Sequence, residues 1–266
     1  MAVAGVACVV AVIDSEGAFT EDRESQEAGR GGKERSLTKQ IGIVAVSPEG
    51  AALCHRQIFR HASALLDPHD HPIVSMHNLP LAQYVDAVRS GDWRAVGALL
   101  RLSADVLASC GAELCFTPDN AVQHGVHLAQ AGSPIPWLNM TDIVAGAVED
   151  DGRQMVGILG TSVVTRGSAY QTHLGLRGVK AVAPSDEDID ALDTAIYGDL
   201  AYGRITDAAR DIMTGVVDRF HGRGCDAVIL GCSEAPLVVG APTAPIAVYD
   251  AGDILAERAV REAMKD

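Results

Sequence analysis

The sequence predicts an α/β protein of two pseudo-symmetric parallel-sheet domains, with the active site in the cleft between them. Three observations carry this. Two continuous apolar runs, Ile41–Ser47 (IGIVAVS) and Val156–Ser162 (VGILGTS), share glycine at the second place and serine at the seventh, 115 positions apart. A second pair, Gly111–Asn120 (GAELCFTPDN) and Gly224–Ser233 (GCDAVILGCS), repeats at an offset of 113, each with a glycine, a small residue, an acid, an apolar run and a polar tip. Each member of that second pair follows a stretch with apolar residues at helical spacing, Ala95–Ser109 and Asp207–His221. Unbroken apolar runs without alternation are the signature of strands buried on both faces, as in parallel sheets covered by helices.

Taken in chain order, Met1–Ile13 is apolar but lacks the basic start of a signal peptide. It reads as an extra strand or as the product of a start codon assigned too far upstream. Residues 14–39 are charged, glycine-containing and without periodicity, and are expected to be flexible. The first domain is expected over 40–142 plus about 243–266, and the second over 143–242. The loop Asp67–Leu81 and a helix over Ala191–Tyr202 are expected to shape a substrate pocket.

The bulk numbers exclude several classes of function. A net charge of −14 over 266 residues disfavours nucleic acid and anionic membranes as partners. No apolar run approaches the length that crosses a bilayer. The six cysteines include no C-x-x-C pair, which points to a reducing cytoplasm with Cys110, Cys115 and Cys225 as buried structural thiols. No glycine-rich phosphate loop is present, so no nucleotide or nicotinamide cofactor is expected. His69-Asp70-His71 looks like a metal pair without a third ligand, and no metal is expected. His77 could line the cleft mouth, and His124 and His127 fall on a helix after Asp119, more simply as packing or solvent-facing groups.

Ligands of open parallel sheets bind beyond the carboxyl ends of the strands. Those ends carry Ser47 and Asp119 in one half and Ser162 and Cys232 in the other. Cys232 sits in GCSE, one glycine after an apolar run, where the following peptide N–H groups and Ser233 could hold an anion, lower the thiol pKa and make it an acid/base catalyst or nucleophile. Asp119, in TPDN, is its counterpart. It is either a proton donor or base with a pKa raised by burial, or a turn residue that holds its own loop. Asn120 offers a donor and an acceptor to a carboxylate. Thr161, Ser162 and Thr165 form a hydroxyl-rich turn suited to a carboxylate or to capping a helix; Arg166 behind them reads as a surface residue.

The segments IGIVAVSPEGAALC, PDN, PWLNMTDIVAGA, VGILGTSVVT and GCDAVILGCSEAPL resemble the aspartate/glutamate racemase superfamily from about Gln40 to the C-terminus. The resemblance implies cofactor-independent isomerases of amino acids or related carboxylates, built as two pseudo-symmetric α/β domains. Two opposed acid/base residues, often both cysteines, would remove and return the α-proton. Cys232 matches the second of these. The first falls on Asp119, followed by Asn120-Ala121 where Asn-Thr is usual, with Gln123 in place of the usual histidine. Ser47, Asn120, Thr161, Ser162, Thr165, Ser233 and Glu234 are the expected substrate-binding residues. The resemblance also suggests a homodimer. The reading is a racemase or epimerase. The rivals are a one-cysteine decarboxylase, lyase or cis–trans isomerase, and a catalytically silent ligand-binding protein.

Overall fold

The computed structural model describes residues 38–265; the expectations for Met1–Ile13 and for most of 14–39 lie outside them. The first half runs β1 (Ile41–Ala45), α1 (Pro48–Leu65), β2 (Val74–Asn78), α2 (Leu81–Ser90), α3 (Trp93–Ser109), β3 (Leu114–Phe116), α4 (Gln123–Gln130) and α5 (Met140–Asp150). The second runs β4 (Met155–Gly160), α6 (Ser162–Thr165), α7 (Ala169–Gly175), β5 (Lys180–Val182), α8 (Asp186–Gly198), α9 (Asp207–Gly222), β6 (Ala227–Gly231), β7 (Ala247–Asp250) and α10 (Ala251–Ala263). All strand pairs are parallel, in the orders β2-β1-β3 and β5-β4-β6-β7.

The repeat is therefore structural. Ile41 pairs with Leu114 as Val156 pairs with Ala227. Beyond β3, Cys115 makes an isolated parallel bridge to Trp137, in the place β7 takes beside β6. Each half then closes with a helix capped by a short polar side chain, Asn139 for α5 and Asp250 for α10.

The tail expected in the first half is divided. Strand β7 pairs with β6 and extends the second sheet, whereas α10 packs on α1. In exchange, α5 packs on α7 of the second half. These crossed helices join the halves through one apolar core that runs from Ile41 and Ile43 through Val144 and Ile158 to Leu255.

Local physics explains the core elements. Strands β1 and β6 are buried at every position, so they need no polar face. In β4, Gly157 admits the Phe220 ring of α9, which a methyl there would meet at 2.5 Å. Strand β2 lies within the segment expected to be a loop. It is an edge strand, half-buried to exposed along its length, and its sequence VSMHN has no apolar run.

Candidate active site

Counted from the matched pairs Ile41–Leu114 and Val156–Ala227, Asp119 and Cys232 each stand five residues past the paired strand position. They are equivalent tips of the two sheets. The halves meet there directly. Gly50, in the first turn of α1, lies against Ser233, and a methyl at Gly50 would fall 2.6 Å from the Ser233 Oγ. A second tie runs from the Tyr170 hydroxyl of α7 to Oδ1 of Asn120 at 2.7 Å, both residues buried. A third joins the Ser168 N–H to Nε2 of His124 at 3.1 Å, with the imidazole tilted against Trp93. Asn78, at the end of β2, donates to the carbonyls of Ala45 and Val46 and so fixes the end of β1.

The two tips differ electrostatically. Cys232 is buried, and its Sγ donates to Oε2 of Glu234 at 2.9 Å. Burial first, then the charge of Glu234 and this hydrogen bond, push the thiol well above its ordinary pKa; the N–H groups of Glu234 and Ala235 oppose the shift and lose. The sequence expectation of a lowered pKa is thus reversed, because burial, and after it the Glu234 carboxylate turned onto the sulfur, outweigh the peptide N–H groups. Asp119 is pushed up to about 6, chiefly by burial and further by Glu234, against hydrogen bonds from the N–H groups of Ala121 and Ser47. At neutral pH the pair is a carboxylate and a protonated thiol, one able to accept a proton and the other to give one.

Surface depressions of about 580 and 590 Å³ lie away from these residues. One surrounds Arg153, Cys225 and Asp226 at the amino ends of the second-sheet strands, and the other surrounds Asp151, Tyr249 and Asp250 beside β7. Neither is lined by Asp119 or Cys232, so register and chemistry locate the site rather than volume.

A family model, Asp/Glu/hydantoin racemase, matches residues 43–259. The chain belongs to the Asp/Glu/hydantoin racemase family. Among solved structures, a candidate Asp/Glu racemase from Yersinia pestis superposes with a TM-score of 0.78 at 26% identity, over 85% of this chain and all of that one. An aspartate racemase homologue from Pyrococcus horikoshii OT3 shares the fold with a TM-score of 0.75 at 21% identity, over 86% of this chain and 100% of the other. An uncharacterised protein from the pnlA 3′ region of Pectobacterium carotovorum subsp. carotovorum is 27% identical over 129 residues, 46% of this chain and 82% of that protein. The α/β fold with parallel sheets is that of the racemases, and the family supports a racemase-type, isomerase activity.

Within this racemase fold the expected site residues divide. Ser47, Asp119, Asn120, Cys232, Ser233 and Glu234 gather where the halves meet: Ser47 caps α1 and donates its N–H to Asp119, and Ser233 covers Gly50. Thr161 is buried, with its hydroxyl beside the Tyr197 phenol. Ser162 has its N–H already taken by Oδ1 of Asp193 at 2.8 Å, so that end of α6 is capped by an acid. Thr165 is buried, and its hydroxyl donates back to the Thr161 carbonyl at 3.0 Å, inside its own turn. The glycine before Cys232 also has a packing reason. A methyl at Gly231 would meet Val164 at 3.0 Å, and one at Gly160 would meet the Gly231 carbonyl at 2.7 Å. Arg166 pairs with Asp186 on the surface. Cys54, Cys115 and Cys225 are buried free thiols, whereas Cys110, expected inside, caps the end of α3 and is exposed. His77 donates to or accepts from Ser103 at 3.0 Å.

Sequence reading missed two residues beside the candidate site, both from α8. Asp193 caps Ser162. Tyr197 stands beside Thr161, within electrostatic reach of Asp193, Asp119 and Cys232. The signal available was coarse, since only the segment Ala191–Tyr202 pointed at the pocket.

Proposed function

We propose that the protein is a cofactor-independent racemase or epimerase of an amino acid or related carboxylate. The observation that carries this reading is the equivalence of Asp119 and Cys232 at matched strand ends of a racemase-family fold, one poised as a base and the other as an acid. In one direction, Asp119 takes the α-proton and the electron pair moves into the substrate carboxylate as an enediolate. Neutral donors such as the Asn120 amide and the Thr161 hydroxyl stabilise that charge. The Cys232 thiol then delivers its proton to the opposite face and becomes a thiolate, and proton exchange with solvent restores the pair. Of the expected binding residues, Ser162 and Thr165 act through the backbone of their turn rather than by their donors.

The test is incubation of the protein in D₂O with panels of L- and D-amino acids, hydantoins and substituted malonates, followed by NMR. Deuterium entering the α-position with inversion supports the reading. Loss of CO₂ from malonates favours the second reading, a one-cysteine decarboxylase, which the protonated state of Cys232 also suits. A cytoplasmic location agrees with the free thiols among the described residues and with the lack of any described helix long and apolar enough to cross a membrane. Assembly as a homodimer is part of the same reading.

A further inference from the structure

We propose that His124 is a positioning residue: its neutral imidazole latches the Asp119 half of the molecule to the Cys232 half, and protonation of the ring releases the latch. The consequence for catalysis rests on the racemase reading above; the latch itself does not. The acceptor in this tie is a ring nitrogen. Nε2 of His124 takes the Ser168 N–H at 3.1 Å, which only the neutral ring with its proton on Nδ1 can do. The cation carries a proton on both nitrogens, so two N–H groups would face each other across the halves. Gly167 lets the second half come this close, since a methyl there would fall 2.8 Å from Nε2.

The first-half side of the latch is stiff. Helix α4 crosses α3 with glycines at the contact: a methyl at Gly125 would meet Val96 at 2.6 Å, and one at Gly97 would meet Leu128 at 2.7 Å. Protonation therefore acts on the seam between the halves rather than on the packing of α4. The same two segments share one more tie, from the Tyr170 hydroxyl to Asn120 Oδ1. Burial, and after it Asp250, keep that phenol protonated, so His124 is the member of these two ties that titrates. Asn120 follows Asp119 in the chain, so the seam bears on where Asp119 stands against the second sheet.

The groups around the ring favour its neutral form. Burial, and then His127 one turn along α4, hold the imidazole below its ordinary 6.5. From α3 it meets the uncharged Trp93, with ring centroids 5.0 Å apart. The turn between α6 and α7 presents the Ser168 N–H, and Arg166 of that turn pairs with Asp186. The folded ring is thus less basic than the unfolded one. Its contribution to stability is complete above 6.5 and is lost as pH falls through the lower, folded value.

A pH titration of the isotope-labelled full-length protein by NMR reads both partners at once. It follows the His124 ring shifts and the hydrogen exchange of the Ser168 amide, corrected for its intrinsic pH dependence. Ser168 should lose protection by about fivefold, the scale of one hydrogen bond, as the ring takes its proton, with one shared midpoint below 6.5. His127→Gln removes the neighbouring charge and should move both midpoints upward together. His124→Gln keeps an acceptor but has nothing to titrate, so the Ser168 response should vanish. A ring that titrates while Ser168 is unmoved, a ring that stays neutral until the chain unfolds, or a Ser168 response that persists in His124→Gln overturns the proposal. On any substrate turned over, KM should rise on acidification more in the parent than in His124→Gln, by about the same fivefold. Identical KM profiles overturn the positioning role and leave the racemase reading standing. A latch that responds in a protein exchanging no amino acid upholds the latch and sinks the racemase reading.

Discussion

The Cys232 Sγ lies 2.9 Å from Oε2 of Glu234 and donates a hydrogen bond to that carboxylate. Burial and, after it, the glutamate keep the thiol protonated. Glu234→Gln removes the charge and weakens the acceptor, so the thiol pKa should fall. Thiolate absorbance of the variant in a pH titration, with Cys232→Ala as the blank, should rise at lower pH than in the parent. An unchanged titration would show that burial alone sets the state of Cys232.

Asp119 predicts a pH dependence with a definite sign. Its folded pKa of about 6 is above its ordinary 3.8. The folded chain thus holds this proton more tightly than the unfolded chain, and stability falls as pH rises through that window and stays lower above it. Asp119→Asn should raise Tm by a few degrees at pH 8 and little at pH 4, which thermal melts at both values would resolve. Activity runs the opposite way. If Asp119 is the base, kcat/KM declines as pH drops through about 6.

The contact of Gly50 with Ser233 predicts a coupled pair. Gly50→Ala is favourable for a helix by about 1 kcal/mol in isolation. Here the added methyl would lie 2.8 Å from the Ser233 Cβ, so the variant should lose stability by roughly 1–3 kcal/mol in urea unfolding. Adding Ser233→Gly should recover most of that loss. Additive effects of the two changes would mean the halves do not close there.

Tyr170→Phe leaves the buried Asn120 Oδ1 without its donor. The expected cost is about 1–3 kcal/mol, read from urea unfolding. A KM rise accompanied by little change in kcat would mark Asn120 as a group that holds substrate.

Strands β1, β4 and β6 and helices α3 and α9 were legible because their burial is written locally, as unbroken apolar runs or a 3.6-residue stripe. The edge strand β2 was not, since half its surface faces water and VSMHN carries no pattern. The partner of β7 was not either: its pairing with β6 is long-range, and nothing in Ala247–Asp250 says which sheet it joins. At the site, the repeat located Asp119 and Cys232. The direction of the thiol shift depended on the burial of the sulfur and then on where the Glu234 carboxylate turns, and the capping of Ser162 on Asp193, 31 residues along the chain. Neither is visible in local sequence.

The central claim is that Cys232 and Asp119 serve opposite faces of one α-carbon. Its most direct test is α-hydrogen exchange of each single enantiomer of a turned-over substrate in D₂O, catalysed by Cys232→Ala. Inversion should fall by about a thousandfold, the scale of a lost acid/base group. The enantiomer whose hydrogen faces Asp119 should still exchange without inverting. Inversion at the parent rate would contradict the account.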